Sequence, residues 1–118
     1  MHDKMWEWLD DFPQQIERAA KLGEDWNLAG LERPKSIAFL GIGGSAIGAT
    51  LVSDLYRQQL NCPVVVSRGD QPPSWLGKGH LAVAISYSGE TKETLTSYRR
   101  ALEKGASGIS ISSGGSLA

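Results

Sequence analysis

From residue 35 onward, the hydrophobic residues fall into short apolar runs that are separated by longer segments with helical spacing. The runs contain many β-branched residues and no strict alternation of polar and apolar positions. This pattern is typical of parallel strands that helices cover on both faces. The runs predict four strands, at 36–40, 63–67, 81–86 and 108–112.

Two segments between these strands have the three- and four-residue spacing of an amphipathic helix. The first covers about 45–60, with Ile47, Leu51 and Leu55 on one face. The second covers about 91–104. Strand–helix–strand units with right-handed crossovers build a parallel sheet, so the pattern predicts an α/β domain.

The residues before the first strand also have helical spacing and predict an N-terminal helical arm. Pro13 suits the first turn of a second helix within this arm, and Gly23 suits the end of that helix. Proline disfavours a helical conformation in the residue before it, so Arg33-Pro34 marks the end of the arm. The chain is thereby divided into the arm at 1–33 and a main domain at 34–118.

A glycine-rich turn, Gly41-Ile42-Gly43-Gly44-Ser45-Ala46, joins the first predicted strand to the first predicted helix of the main domain. Glycines allow backbone N–H groups to approach an anion because no Cβ stands in the way. The helix that follows adds unpaired N–H groups and the positive end of its dipole. This order of elements predicts a binding site for the phosphate of a small molecule.

The same turn matches the dinucleotide fingerprint G-x-G-x-x-[GA] through Gly41-x-Gly43-x-x-Ala46. That motif needs an acidic residue at the end of the second strand to hold the ribose hydroxyls. Ser67-Arg68 stands there instead, and Asp70 lies further along. Since arginine can accept a 2′-phosphate, an NADP site is an alternative at this point. A P-loop is excluded, because no Gly-Lys-Ser/Thr sequence closes the turn.

A second turn, Ser86-Tyr87-Ser88-Gly89-Glu90-Thr91, follows the third predicted strand and leads into the second predicted helix. Its hydroxyls can donate hydrogen bonds to phosphate oxygens without adding a fixed charge, and the helix N-terminus supplies further N–H donors. Ser88 or Thr91 could instead only cap that helix. Adjacent parallel strands bring both turns to one edge of the sheet, which favours a shared phosphate site.

These motifs resemble those of the sugar isomerase (SIS) domain, and more narrowly the N-terminal SIS domain of bifunctional phosphoglucose/phosphomannose isomerases. The resemblance extends over nearly the whole chain and rests mainly on four segments, 41–48, 64–68, 85–95 and 111–115. The Phe12-Pro13-Gln14-Gln15-Ile16 segment of the arm fits the same subfamily.

The resemblance implies a three-layer αβα sandwich with a parallel sheet in flavodoxin-like strand order. In this chain the sheet would be truncated before its fifth strand and preceded by the helical arm. The resemblance also implies that seven residues bind the phosphate of the substrate: Gly43, Gly44, Ser45, Ser86, Ser88, Gly89 and Thr91. One departure is Glu90, where the family motif commonly has asparagine. A carboxylate beside a phosphate dianion is unfavourable unless it points away.

In this family, aldose and ketose phosphates are interconverted through an enediolate without a metal or another cofactor. The resemblance therefore implies an enzyme that interconverts glucose 6-phosphate or mannose 6-phosphate with fructose 6-phosphate. The family's catalytic glutamate, histidine and arginine would lie beyond Ala118, so we expect these 118 residues to bind a sugar phosphate without catalysis. His80 precedes the third strand, at the end away from the site, which argues against a catalytic role. A non-catalytic SIS-domain sugar-phosphate sensor is an alternative, although the acidic arm lacks a basic recognition helix.

Composition and charge indicate which partners the chain binds and in which compartment it lies. The net charge is −1 and the charges are scattered, so we expect no nucleic-acid partner. We expect no secretory signal and no membrane anchor, because no apolar run reaches the ~20 residues that span a bilayer. The single cysteine, Cys62, forms no internal disulfide, which suits the cytoplasm.

The sequence also favours association between chains. A truncated sheet leaves an open edge, which seeks a partner. Three tryptophans of the arm would pack on the main sheet or on another subunit, and they are Trp6, Trp8 and Trp26. We therefore expect a homodimer. The last segment, 112–118, is a glycine turn without helical spacing after it, so we expect the sequence to stop inside a fold.

Overall fold

The structure is a computed structural model that describes residues 4–24 and 33–117. The chain divides into two compact units, residues 1–31 and 32–118. The part of the predicted arm at 25–32, including Trp26, lies outside the described residues.

The first unit contains helix α1 (Lys4–Glu24), which continues through Pro13. The expected start of a second helix at Pro13 is therefore wrong. Proline removes only one helical hydrogen bond, and an ion pair spans the same turn, since the Arg18 guanidinium donates to Asp11 at 2.9 Å. Hydrogen bonds from Arg18 and Gln15 hold the pKa of Asp11 below its ordinary value. None of the residues of α1 is buried within its own unit.

The second unit is built on a parallel four-stranded sheet with the strand order β2-β1-β3-β4. Its strands are β1 (Ile37–Leu40), β2 (Val64–Ser67), β3 (Leu81–Ile85) and β4 (Ser107–Ile111). Each strand begins and ends within one residue of the run that predicted it. The parallel sheet and the flavodoxin-like strand order are confirmed.

Two longer helices connect the strands, α2 (Gly44–Leu55) between β1 and β2, and α3 (Lys92–Glu103) between β3 and β4. The two connections run in opposite directions from the centre of the sheet. Right-handed crossovers therefore place α2 and α3 on opposite faces, which gives three layers. Helix α2 ends five residues earlier than predicted, because turns follow Leu55. A one-turn 3₁₀ helix (Gly115–Leu117) follows β4, where no helix was expected.

The core beneath α3 is formed by small residues and two leucines, with Tyr98 packed against it. The buried members are Ala38, Leu40, Leu76, Ala82, Ala101 and Ala106. Small side chains let the helix lie close to the sheet, so the core is thin and closely packed.

Helix α2 contacts the sheet through alanines as well. Its buried residues are Ala46 and Ala49, whereas Ile47, Leu51 and Leu55 are 59%, 65% and 75% exposed. The three larger residues share one face, as their spacing predicts, but that face points to solvent. The small side chains face the sheet instead, because they allow the helix to pack close to it.

Strands β1 and β3 are neighbours at the centre of the sheet, with Leu40 paired to Ala84. From β1 the chain continues toward β2, and from β3 it continues toward β4 on the other side. The carboxyl ends of β1 and β3 therefore flank the point where the strand order reverses. In open parallel sheets, ligands bind in the crevice at this point.

Candidate functional site

The glycine turn lies between β1 and α2, at the carboxyl edge of the sheet. Gly43 has a φ of +62°, a left-handed conformation that glycine adopts readily, and it directly precedes Gly44, the first residue of α2. No side chain caps α2. The first N–H groups of this helix are therefore left for solvent or a ligand.

The two turns meet at Gly41. A Cβ built on Gly41 would lie 3.3 Å from the carbonyl oxygen of Ile85 and 3.3 Å from the Cβ of Ser45. A glycine at this position lets the end of β1 pass close to both the end of β3 and the start of α2. Both sequence motifs therefore occupy one corner of the sheet.

The hydroxyls of the second turn are linked by hydrogen bonds. The Ser86 Oγ lies 2.7 Å from the Thr91 Oγ1 and 3.5 Å from the Ser88 Oγ, and it accepts the Gly89 N–H at 3.1 Å. Ser86 is only 1% exposed, whereas Ser88 is exposed and Thr91 is half-buried. Ser86 thus holds the turn from beneath, and the other two hydroxyls are the more accessible ones.

Neither accessible hydroxyl caps α3. Thr91 is the residue before the helix, but its side chain makes no capping hydrogen bond. The Ser88 Oγ accepts the N–H of Glu90, which lies outside the helix. Both hydroxyls and the N-terminal N–H groups of α3 therefore remain available at the same place.

A cavity of about 680 Å³ opens where the two turns meet the loop after β4. Its polar lining comes from Gly44 and Ser45, Tyr87, and Ser112 and Ser113. Of the seven predicted phosphate-binding residues, Gly44 and Ser45 are the two that line it. This volume lies within the range of small-molecule sites. A larger groove of about 910 Å³ runs along α3 and is lined at one end by Glu90 and Ser116, but it includes no residue of the glycine turn.

Glu90 carries the only charge in the two turns, and it points toward the loop after β4. The Glu90 Oε1 accepts the N–H of Ser116 at 2.6 Å and the Ser116 hydroxyl at 2.7 Å. The carboxylate is thereby held by donors of another loop. The departure from the family motif at position 90 thus has a structural explanation.

Two residues that bear on the dinucleotide alternative, Arg68 and Asp70, make hydrogen bonds just after β2. Arg68 donates to the Thr50 Oγ1 at 3.2 Å, on helix α2. The carbonyl oxygen of Asp70 accepts a hydrogen bond from Arg100 at 3.0 Å. In this arrangement the Arg68 guanidinium is engaged with α2.

His80 lies at the amino edge of the sheet, directly before β3. Its Nδ1 is hydrogen-bonded to the Ser36 Oγ, and its ring packs edge-on against Trp75 with the centroids 5.1 Å apart. This cluster is at the edge opposite the two turns, where the sequence placed it. Within residues 4–24 and 33–117, no three His, Cys, Asp or Glu side chains form a group that could hold a metal ion. No helix in the described part of the chain is long and apolar enough to cross a membrane.

Sequence reasoning missed the wall of the cavity formed by the loop after β4. The signal was present, because Ser112 and Ser113 with the two following glycines repeat the serine–glycine composition of the other turns. Nothing in that composition shows, however, that the two serines line the same cavity.

Together, the parallel sheet and the two turns at its point of reversal define an open parallel α/β domain, in which each turn leads into a helix N-terminus. Residues 30–117 match the family model of the SIS domain. Since the match covers most of the chain, the protein belongs to the SIS-domain family.

Curated relatives and a solved structure support this assignment. The chain is 36% identical over 114 residues to the bifunctional phosphoglucose/phosphomannose isomerase of Caldicellulosiruptor bescii. This alignment covers 96% of this chain and 34% of that relative. The protein of the same name from Aquifex aeolicus is 36% identical over 84 residues, which covers 70% of this chain and 26% of the relative. The chain therefore spans about a third or less of the length of these relatives.

A crystal structure from Clostridium difficile 630, named as a candidate phosphosugar isomerase, has the same fold. The TM-score is 0.72 at 20% sequence identity, over 98% of this chain and 33% of that one. The curated relatives and this solved structure are all named as isomerases of sugar phosphates.

Proposed function

We propose that this chain binds the phosphate group of a hexose 6-phosphate at the corner where its two turns meet. The whole protein would interconvert glucose 6-phosphate or mannose 6-phosphate with fructose 6-phosphate. The observation that carries the proposal is the close approach of the two strand ends that lead into the turns, since a Cβ built on Gly41 would lie only 3.3 Å from the carbonyl oxygen of Ile85. The relatives named as phosphoglucose/phosphomannose isomerases supply the substrate class.

Seven residues would form the proposed phosphate site, and they would contribute in different ways. Backbone N–H groups would come from Gly43 and Gly44, and hydroxyl donors from Ser45, Ser88 and Thr91. Gly89, whose N–H already donates to Ser86, would contribute through the conformation of the turn. The buried Ser86 would orient the hydroxyl turn through its bonds to Thr91 and Gly89.

The electrostatics of this corner favour an anion without any cationic side chain. Helices α2 and α3 both begin here, and each helix N-terminus carries roughly half a positive charge. The lone carboxylate of Glu90 is engaged by Ser116. A phosphate dianion would therefore be held by neutral donors and helix dipoles.

The isomerisation moves a proton between C1 and C2 of the open-chain sugar. A general base must lie within hydrogen-bond reach of that proton. Among the described residues, Glu90 is bonded to Ser116 and His80 lies at the opposite edge of the sheet. We infer that the catalytic base is supplied from outside these 118 residues, and that the chain by itself binds substrate without turnover.

We also infer that the protein acts in the cytoplasm as a homodimer. The unpaired outer edges of β2 and β4 in the described sheet and the exposed apolar face of α2 support an association. The free thiol of Cys62 suits a reducing compartment.

Titration of the isotope-labelled chain by NMR tests the binding proposal. Fructose 6-phosphate is expected to shift the amide signals of both turns, while fructose without phosphate leaves them unchanged. Loss of a hydroxyl donor to a charged acceptor costs about tenfold in affinity or more, so Ser88→Ala and Thr91→Val should each raise the Kd by that factor. The matched control is Ser107→Ala, because Ser107 is exposed at the opposite edge of the sheet.

Two further measurements, NADPH binding and isomerase activity, test the dinucleotide alternative and the absence of turnover in this chain. Tight binding of NADPH with no response to any sugar phosphate would overturn the proposal in favour of a dinucleotide site. Substantial isomerase turnover by the 118 residues would contradict the inference that the base lies elsewhere. Trp75 is a poor fluorescence reporter for these titrations, because it packs against His80 at the far edge.

A further inference from the structure

The loop after β4, residues 112–117, is joined to the hydroxyl turn by backbone hydrogen bonds. We call it the β4 loop. The Ser113 N–H donates to the carbonyl oxygen of Tyr87 at 3.0 Å, and the Leu117 N–H donates to the carbonyl oxygen of Gly89 at 3.3 Å. Leu117 is buried, and its carbonyl oxygen accepts the Ser110 hydroxyl at 2.8 Å. The β4 loop is thus attached at both its ends.

Glu90 supplies the side-chain attachment between these two points. Its Oε1 accepts both the N–H and the hydroxyl of Ser116, at 2.6 Å and 2.7 Å. Hydrogen bonds to an ionised carboxylate are shorter and stronger than those between neutral groups. A single side chain therefore holds the C-terminal part of the β4 loop, at Ser116.

The fit between the two loops is close at this attachment. Gly115 has a φ of +72°, and a Cβ built on it would overlap the carbonyl oxygen of Ser88 and lie 2.9 Å from the Glu90 Oε1. The backbone of Gly115 therefore lies close against both the hydroxyl turn and the Glu90 carboxylate. The position of Glu90 and the position of the β4 loop are therefore linked.

The β4 loop also carries Ser112 and Ser113 to the wall of the cavity, which Tyr87 and Ser45 line as well. We propose that Glu90 is a positioning residue that fixes the β4 loop as the sugar-facing wall of the phosphate site. The proposal rests on the proposed function, because it assumes that a sugar phosphate occupies the cavity. The phosphate itself would need only the two turns, so the attachment should matter for the sugar more than for the anion.

The test compares two probes, inorganic phosphate and fructose 6-phosphate, on the labelled chain and its variants by NMR titration. Glu90→Ala is expected to raise the Kd of fructose 6-phosphate about tenfold and to change the Kd of inorganic phosphate by less than about twofold. Glu90→Gln keeps one carbonyl oxygen as acceptor and should restore the sugar-phosphate affinity to within about threefold. Glu93→Ala is the matched control, since Glu93 is an exposed carboxylate in the first turn of α3, and both affinities should stay within about twofold.

Hydrogen exchange of the Ser116 and Leu117 amides gives a readout that does not depend on any ligand. Both amides should exchange at least about tenfold faster in Glu90→Ala than in the unmodified chain, because the loop loses its attachment at Ser116. Ser116→Ala, which removes only the hydroxyl donor, should give a smaller acceleration of the Leu117 amide. This milder variant keeps the test valid if Glu90→Ala does not fold.

The results test the positioning role of Glu90 and the proposed function separately. Equal losses of affinity for both probes in Glu90→Ala, or unchanged affinity for fructose 6-phosphate, would overturn the positioning role. Unchanged amide exchange in the variants would overturn it as well. If the unmodified chain binds neither probe, the proposed function fails, while the exchange rates still show whether Glu90 holds the β4 loop.

Discussion

Gly89 is the position in the site where one added methyl group should cost most. Its φ is +73°, and a Cβ there would overlap the carbonyl oxygen of Gly114. The same Cβ would lie 2.8 Å from the carbonyl carbon of Gly114 and 3.1 Å from the Cα of Gly115. All three neighbours are backbone atoms, so no side-chain rotation can relieve the overlap, and the two loops must separate.

The magnitude for Gly89→Ala follows from two costs. The left-handed conformation costs about 1–2 kcal/mol for a residue with a Cβ. Forcing an extra carbon into a packed contact costs typically about 1–3 kcal/mol. We therefore expect the free energy of unfolding to fall by about 2–5 kcal/mol. For a chain of this length, each kcal/mol corresponds to roughly 4 °C in Tm, so the Tm should fall by about 8–20 °C.

Thermal and urea unfolding followed by circular dichroism measure this loss. Gly114→Ala is the matched control, because a Cβ on Gly114 meets no atom within 4 Å and Gly114 has no positive φ. Its effect should stay within about 1 kcal/mol, and it can be slightly stabilising. A Tm of Gly89→Ala within about 2 °C of the unmodified chain would refute the reasoning. So would an equal loss in Gly114→Ala.

The remaining predictions concern the packing of the two helices. Burial raises the pKa of Tyr98 above 10.0, so the folded chain keeps a proton that the unfolded chain loses, and stability should fall as the pH rises past about 10. In urea unfolding, Tyr98→Phe should lose less stability over that range, and identical pH profiles would contradict this. Ala46→Leu should cost about 1–3 kcal/mol because Ala46 is fully buried. Leu51→Gln on the exposed face should stay within about 0.5 kcal/mol, and the reverse order would show that α2 is turned the other way.

The strands were predictable because each is a short apolar run between turns. The strand order was implied by the family resemblance, and the structure confirms it. The packing face of α2 was not predictable from hydrophobic spacing, because that spacing selects Ile47 and Leu51. Ala46 and Ala49 face the sheet instead. Their small side chains let the helix lie close to the sheet, and this close packing determines which face is buried more than the hydrophobicity of the larger residues does.

Within the site, the residue types were predictable and their separate tasks were not. Ser86 and Ser88 are two residues apart and chemically identical, but one is buried and the other is exposed. That difference depends on how β3 enters the turn. The partner of Glu90 lies 26 residues further along the chain, and no local pattern connects a glutamate to the N–H of Ser116. The continuation of α1 through Pro13 likewise depends on its neighbours along the helix.

The residues that line the cavity belong to three distant parts of the sequence, within 42–45, 85–87 and 111–113. No short peptide of this chain could hold an anion there, because the corner exists only once β1, β3 and β4 are aligned. Under the proposed function, sugar phosphate or free phosphate would bind the folded state of the chain and not the unfolded state. At a hundred times its Kd, such a solute adds about 2.7 kcal/mol to stability. The choice of buffer salt would then influence every melting curve recorded for this protein.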